Sequence, residues 1–157
     1  MQKITPFLWF EGNAEDAMNF YASVFKDSKV GKVNRYDNKE QGPGGGFITG
    51  SFQLAGQEFM ALSVNGPAPF KFNESISLFV NCESQEEIDY FWERLSEGGA
   101  TSQCGWLKDK YGLSWQIVPT ILGQLLQAKD PVKAKQVMNA LLRMTKIDIE
   151  ELRQAAA

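Results

Sequence analysis

The side chains in this 157-residue sequence that can do chemistry are few, and histidine is not among them. Imidazole is the commonest transition-metal ligand and the commonest general base near neutral pH, so acid-base or metal chemistry here must run on carboxylates, thiols or amides. Gln116 stands out. In the run 104–119, CGWLKDKYGLSWQIVP, strand alternation puts Leu113, Trp115 and Ile117 on one face and Ser114, Gln116 and Val118 on the other. An amide opposite Trp115 and Ile117 fits two roles: an anchor for a ligand in an apolar cavity, or a structural amide bonded to a neighbouring strand. Glu11 and Asp16 offer a carboxylate pair, but both also fit a helix entry, where negative charge is stabilised by about 0.3–1 kcal/mol. Trp9, Trp92, Trp106 and Trp115 suggest an aromatic cage. Core packing accounts for them more simply, most clearly for Trp92 on a helical stripe and least clearly for Trp106 on a hairpin. Lys108, Asp109 and Lys110 read as a solvated hairpin tip. Cys82 and Cys104 are the only cysteines and lack the spacing of a zinc or redox site, so they read as buried free thiols.

The elements that must position these residues occur twice. Asn13 caps a predicted helix whose first turn carries Glu15 and Asp16 and whose apolar stripe is Ala17, Phe20, Tyr21 and Val24. The pattern returns at Ser84, with Glu86 and Glu87 in the first turn and Ile88, Phe91, Trp92 and Leu95 as the stripe, stopped by Gly98 and Gly99. A strand-like run precedes each helix, residues 4–10 and 76–82. Three candidate strands follow the first helix, residues 30–36, 47–53 and 59–64. The second helix is followed by a short strand within 100–103 and by the hairpin of 104–119, which turns at Lys110, Tyr111 and Gly112. The glycine-rich stretch 38–46, NKEQGPGGG, lies between strands rather than between a strand and a helix, so it reads as a mobile hairpin loop over a cavity and not as a phosphate loop. Residues 66–73, GPAPFKFN, form the linker between the units. Beyond Pro119 the pattern is helical: a short helix capped by Thr120 and ending at Gln127, one starting at Asp130-Pro131 with Val132, Val137, Leu141 and Met144 on its apolar side, and one from Asp148 through Leu152. This tail reads as an appendage to the sheet.

Composition narrows the classes. With 43% hydrophobic and 12% aromatic residues the chain can build a core, and a net charge of −3 provides no basic field for a nucleic acid. No apolar run approaches the ~18 residues of a membrane span and no signal segment opens the sequence, which predicts a cytoplasmic protein with no nucleic acid or membrane partner.

The repeat, together with LWFEGNAEDAMNFYASVF near the start, CGWLKDKYGLSWQIVP and the tail MNALLRMTKIDIEELRQA, resembles the PhnB-like family of the glyoxalase, bleomycin-resistance and extradiol-dioxygenase superfamily, the vicinal oxygen chelate proteins. The resemblance covers residues 4–119. It implies an α+β fold in which two βαβββ modules, about residues 1–66 and 74–119, form a curled mixed sheet around a cavity. The second module is shortened, and residues 120–157 are a helical extension of the same domain. It also implies a homodimer, because superfamily members usually complete their sheets across a two-fold axis. Metal-binding relatives place His and Glu at four positions, which fall here on Pro6, Ala61, Ser75 and Gln116. Pro and Ala have no donor and a serine hydroxyl is a poor ligand, so no metal and no cofactor is expected. A methyltransferase label attached to PhnB-like sequences finds no glycine-rich strand-turn-helix to hold its cofactor.

The resulting expectation is a metal-free protein binding an apolar or aromatic small molecule, lined by Leu8, Phe10, Ala61, Ser77, Phe79, Trp106 and Gln116 and without catalytic residues. A metal-dependent lyase, isomerase or dioxygenase with ligands recruited elsewhere, such as Glu11 or Glu58, and a dimeric interaction protein using its C-terminal helices are the alternatives.

Overall fold

The computed structural model describes residues 1–37, 40 and 45–157, so most of the expected loop 38–46 lies outside the described residues. Eight strands and five helices are present among them, in an α+β arrangement. The chain divides into two compact units, Met1–Lys71 and Phe72–Ala157, and the division falls inside the proline-containing linker. In the first unit β1 (Phe7–Trp9) leads to helix α1 (Ala14–Val24) and then to β2 (Lys29–Asp37), β3 (Gly46–Leu54) and β4 (Gln57–Val64), in sheet order β1-β4-β3-β2. The second unit repeats this with β5 (Ser77–Cys82), α2 (Gln85–Ser96), β6 (Ala100–Thr101), β7 (Trp106–Lys108) and β8 (Ser114–Pro119), in order β5-β8-β7-β6. Within each unit the first strand pairs parallel with the last and the other pairings are antiparallel. The expected βαβββ repeat is therefore present, and β6 and β7 show the expected shortening of the second module.

Local chemistry explains the boundaries. The Asn13 side chain accepts from the N–H groups of Glu15 and Asp16, and Ser84 Oγ accepts from Glu87 N–H at 3.2 Å. The Glu87 carboxylate reaches back to the N–H of Glu83, one residue outside the usual capping box, at 2.7 Å. Proline lacks an N–H, and β1 is shorter than residues 4–10, although the Pro6 carbonyl still accepts from Met60 N–H at 2.9 Å.

In the first unit the row Leu8, Ala61 and Gly50 runs across three strands beneath Met18 of α1. A Cβ on Gly50 would come within 2.5 Å of the Met18 methyl, so the Met18 side chain lies directly on the glycine backbone. Phe10, Tyr21, Phe52 and Phe59 complete that core through tilted and stacked ring contacts. In the second unit Leu107, Trp115 and Ile117 are buried beneath the α2 stripe Ile88, Phe91 and Leu95.

The tail corrects the sequence reading in several places. Helices α3 (Thr120–Leu126), α4 (Pro131–Leu141) and α5 (Ile149–Ala156) pack on one another, and Val118 and Leu122 share a core with Val137, Leu141, Met144, Ile147 and Leu152. The tail is thus part of the second unit's core rather than an appendage. Val137 and Leu141 are buried as expected, whereas Val132, at 64% exposure, is off the stripe. Thr120 is the first helical residue and not the cap: Pro119 occupies the cap without a side-chain bond, and the Thr120 hydroxyl donates to Glu83. Asp148 does cap α5, accepting from Glu151 N–H at 2.9 Å, but the helix runs to Ala156 instead of stopping at Leu152.

Candidate functional site

Alternation in the second sheet separates a helix-packed face, carrying Leu78, Val80, Leu107, Trp115 and Ile117, from an open face. Register puts Phe79, Gln116 and Trp106 in one row of that open face and Ser77, Ser114 and Lys108 in the next. Gln116 is half-buried and its Nε2 donates to Ser77 Oγ at 2.9 Å. Phe79 is 53% exposed beside it, a large apolar side chain left open on a strand.

A cleft of about 410 Å³ lies on this sheet, within the range of small-molecule sites, and is lined among others by Glu74, Trp106, Lys108 and Ser114. Lys108 pairs with Glu74 at the surface, and the hydrogen bond from Lys108 holds the Glu74 carboxyl below the usual carboxylate range. Ser114 is fully buried, and its hydroxyl has no hydrogen-bond partner among the described residues. A buried polar group without a partner is uncommon and calls for a reason.

Asp109 is a second correction. It is 2% exposed rather than a solvated tip. Its carboxylate accepts from Tyr111 N–H at 2.8 Å, Leu113 N–H at 3.1 Å and the Trp115 indole N–H at 2.8 Å. It is the residue that holds the hairpin turn and fixes Trp115. The aspartate at the start of a turn was visible in the sequence, but its indole partner was not. Cys82 is buried as expected, and burial, reinforced by the Glu87 charge, pushes its thiol up to about 12. Cys104 is half-buried in left-handed backbone, with φ 58°.

The seven expected lining residues divide between the units. Ser77, Phe79, Trp106 and Gln116 share the open face of the second sheet. Leu8, Phe10 and Ala61 lie instead on the α1-packed side of the first sheet, at 7%, 1% and 0% exposure, and Phe7, Trp9 and Met60 occupy its other side. The expected facing of those three is corrected by one strand position. Of the four positions aligned with metal ligands, Ala61 lies in that core, Ser75 is hydrogen-bonded to Asn73 through both its N–H and its hydroxyl, and Gln116 is bonded to Ser77. Sequence reasoning passed over Ser114, Lys108 and Glu74. Alternation had already put Ser114 on the face of Gln116, and that was the signal available for it.

Comparison with known proteins agrees with this geometry. A family model described as 3-demethylubiquinone-9 3-methyltransferase matches residues 2–118. A PhnB protein from Bacillus cereus, provisionally described as a 3-demethylubiquinone-9 3-methyltransferase, is 44% identical over 76% of this chain and 100% of its own, with a TM-score of 0.68. Protein PA1353 from Pseudomonas aeruginosa is 19% identical over 76% of this chain and 98% of its own, with a TM-score of 0.55. The fosfomycin resistance protein FosX from Listeria monocytogenes is 12% identical over 81% of this chain and 98% of its own, at 0.56. These last two likenesses concern the fold alone. No curated protein matches significantly. With two βαβββ units, a family match over most of its length and a PhnB relative at this identity, the chain belongs to the 3-demethylubiquinone-9 3-methyltransferase family, as a PhnB-like member of the vicinal oxygen chelate superfamily.

Proposed function

We propose that this protein binds a small apolar or aromatic molecule on the open face of its second sheet, without a metal ion, using Gln116 as the polar anchor and Phe79 and Trp106 as the apolar contacts. The observation that carries this reading is the Gln116–Ser77 hydrogen bond, half-buried between an exposed phenylalanine and a tryptophan. One polar pair in an apolar row is the composition of a binding site that orients a ligand without reacting with it. The donor chemistry supports the metal-free part: Pro6 and Ala61 offer no ligand atom, and Ser75 and Gln116 are neutral groups that a divalent cation seldom selects. Methyl transfer, the activity in the family's name, is not part of this reading. The strand-to-helix turns at residues 10–13 and 83–84 each carry an acidic residue and hold at most one glycine, which suits neither the close approach nor the charge of a nucleotide-bearing methyl donor. A homodimer and a cytoplasmic location belong to the same proposal. Free Cys82 and Cys104 are consistent with the last of these.

Titration of the full chain with 2-naphthamide, followed by tryptophan fluorescence, tests the reading. Gln116→Leu is expected to weaken binding by about 0.5–1.5 kcal/mol, the net worth of a neutral hydrogen bond, with little change in melting temperature. Unchanged affinity in both Gln116→Leu and Phe79→Ala, or stoichiometric metal in protein purified without added metal, would overturn it.

A further inference from the structure

We propose that the cleft beside Gln116 selects an aromatic carboxylate, whose ring lies against Trp106 and whose carboxylate takes the place of Glu74 on Lys108 and accepts a hydrogen bond from Ser114. This inference rests on the reading of the same sheet face as a ligand site and specifies the charge and shape of the ligand. Three observations converge on it. Among the described residues lining the cleft Lys108 is the one cation, and its partner Glu74 is a surface carboxylate whose side chain is 61% exposed. Exposed ion pairs contribute little to stability, so a second carboxylate can exchange with Glu74 at small cost, and it gains when an apolar ring beside it excludes water. Ser114 stands opposite Lys108 in the β7–β8 ladder, on the same face, with a fully buried hydroxyl that has no partner among the described residues. That hydroxyl is a donor waiting for an acceptor. Trp106 lines the cleft and pairs with Gln116 in the next row, so a ring stacked on its indole extends from the lysine toward the amide. A neutral aromatic would satisfy the tryptophan alone, and an inorganic anion the lysine and serine alone. An aromatic acid meets all three.

The test compares 2-naphthoate with its neutral isostere 2-naphthamide, by calorimetry on the full chain. The acid is expected to bind about tenfold tighter than the amide, the increment of one charge-assisted hydrogen bond, and to lose that advantage as salt is raised. Lys108→Gln should remove the advantage of the acid over the amide. Glu74→Gln removes the competing carboxylate and should tighten the acid about threefold, a gain that damage to the fold would not produce. Ser114→Ala should weaken the acid and raise the melting temperature, because it deletes an unsatisfied buried hydroxyl. Equal binding of the two probes, with Lys108→Gln and Glu74→Gln without effect, overturns this inference and leaves the ligand-site reading standing. If neither probe binds the wild-type chain, both fall.

Discussion

Replacing Asp109 by alanine should damage the second unit more than any single change on its surface, and the size of the effect follows from the donors left behind. The carboxylate serves three: the amides of Tyr111 and Leu113 and the indole of Trp115. Tyr111 is half-exposed and its amide can turn to water, whereas Leu113 and Trp115 are both 2% exposed and cannot. Stranding two buried donors costs about 1–3 kcal/mol each, so the expected loss is about 2–6 kcal/mol. Against a total stability of about 5–15 kcal/mol for a domain, that is a large fraction. At about 2–4 °C per kcal/mol for a chain of this length, the melting temperature should fall by roughly 8–16 °C if the loss is near 4 kcal/mol. Asp109→Asn keeps one acceptor oxygen and turns the other into a donor facing a donor, so it should fall between wild type and alanine. Because the chain has two compact units, the transition of the second unit is followed by itself. A Trp9→Phe background leaves Trp92, Trp106 and Trp115, all in the second unit, as the fluorescence reporters for urea titration. A loss below about 1 kcal/mol for Asp109→Ala in that transition would refute the claim that these bonds hold the hairpin.

Two further outcomes are expected. The Cys82 thiol is raised from its ordinary value of 9.0 to about 12 by burial, so the unfolded chain releases this proton first. The contribution is intact below pH 9 and is lost as pH rises toward 12; thermal melts from pH 8 to 11 should show a decline that is shallower in Cys82→Ala, and equal slopes would count against it. Gly99→Ala would bring a methyl to 2.0 Å from the Lys108 carbonyl, a backbone atom that cannot rotate away; a destabilisation of about 2–3 kcal/mol by urea unfolding is expected, and a neutral result would mean that β6 shifts freely.

What was legible in the sequence was local or periodic. The caps at Asn13, Ser84 and Asp148 are decided within four residues, so their residue types announce them. The repeat follows from two such caps with their apolar stripes. The misplacement of Leu8, Phe10 and Ala61 has a different origin. Alternation tells which residues share a face, but which side of the sheet the helix covers depends on where α1 lands, and that is set by contacts remote in sequence such as Met18 over Gly50. Asp109 was misread because charged residues at a turn are usually solvated, and its burial depends on the Trp115 indole coming back across the hairpin. Ser114 carried no sequence signal of being unpartnered, since that is a property of the space around it.

The loop at Cys104 and Gly105 has a consequence for the order in which the molecule can be made. Both residues sit in left-handed backbone, and their amides donate to the carbonyls of Met144 and Thr145, while the Gly105 carbonyl accepts from Ile117. A hairpin that looks self-contained is therefore bonded to residues some forty positions downstream. At about 5–20 residues per second, a ribosome needs roughly one to five seconds after finishing the hairpin to supply those carbonyls. Throughout that interval Val118 and Leu122 have no α4 or α5 to lie against. The family model's match ends at residue 118, but the nascent chain cannot close its second unit there. The end of that match and the segment that completes the second core are different places in this chain, so a truncation at the family boundary would remove the side chains that bury Val118.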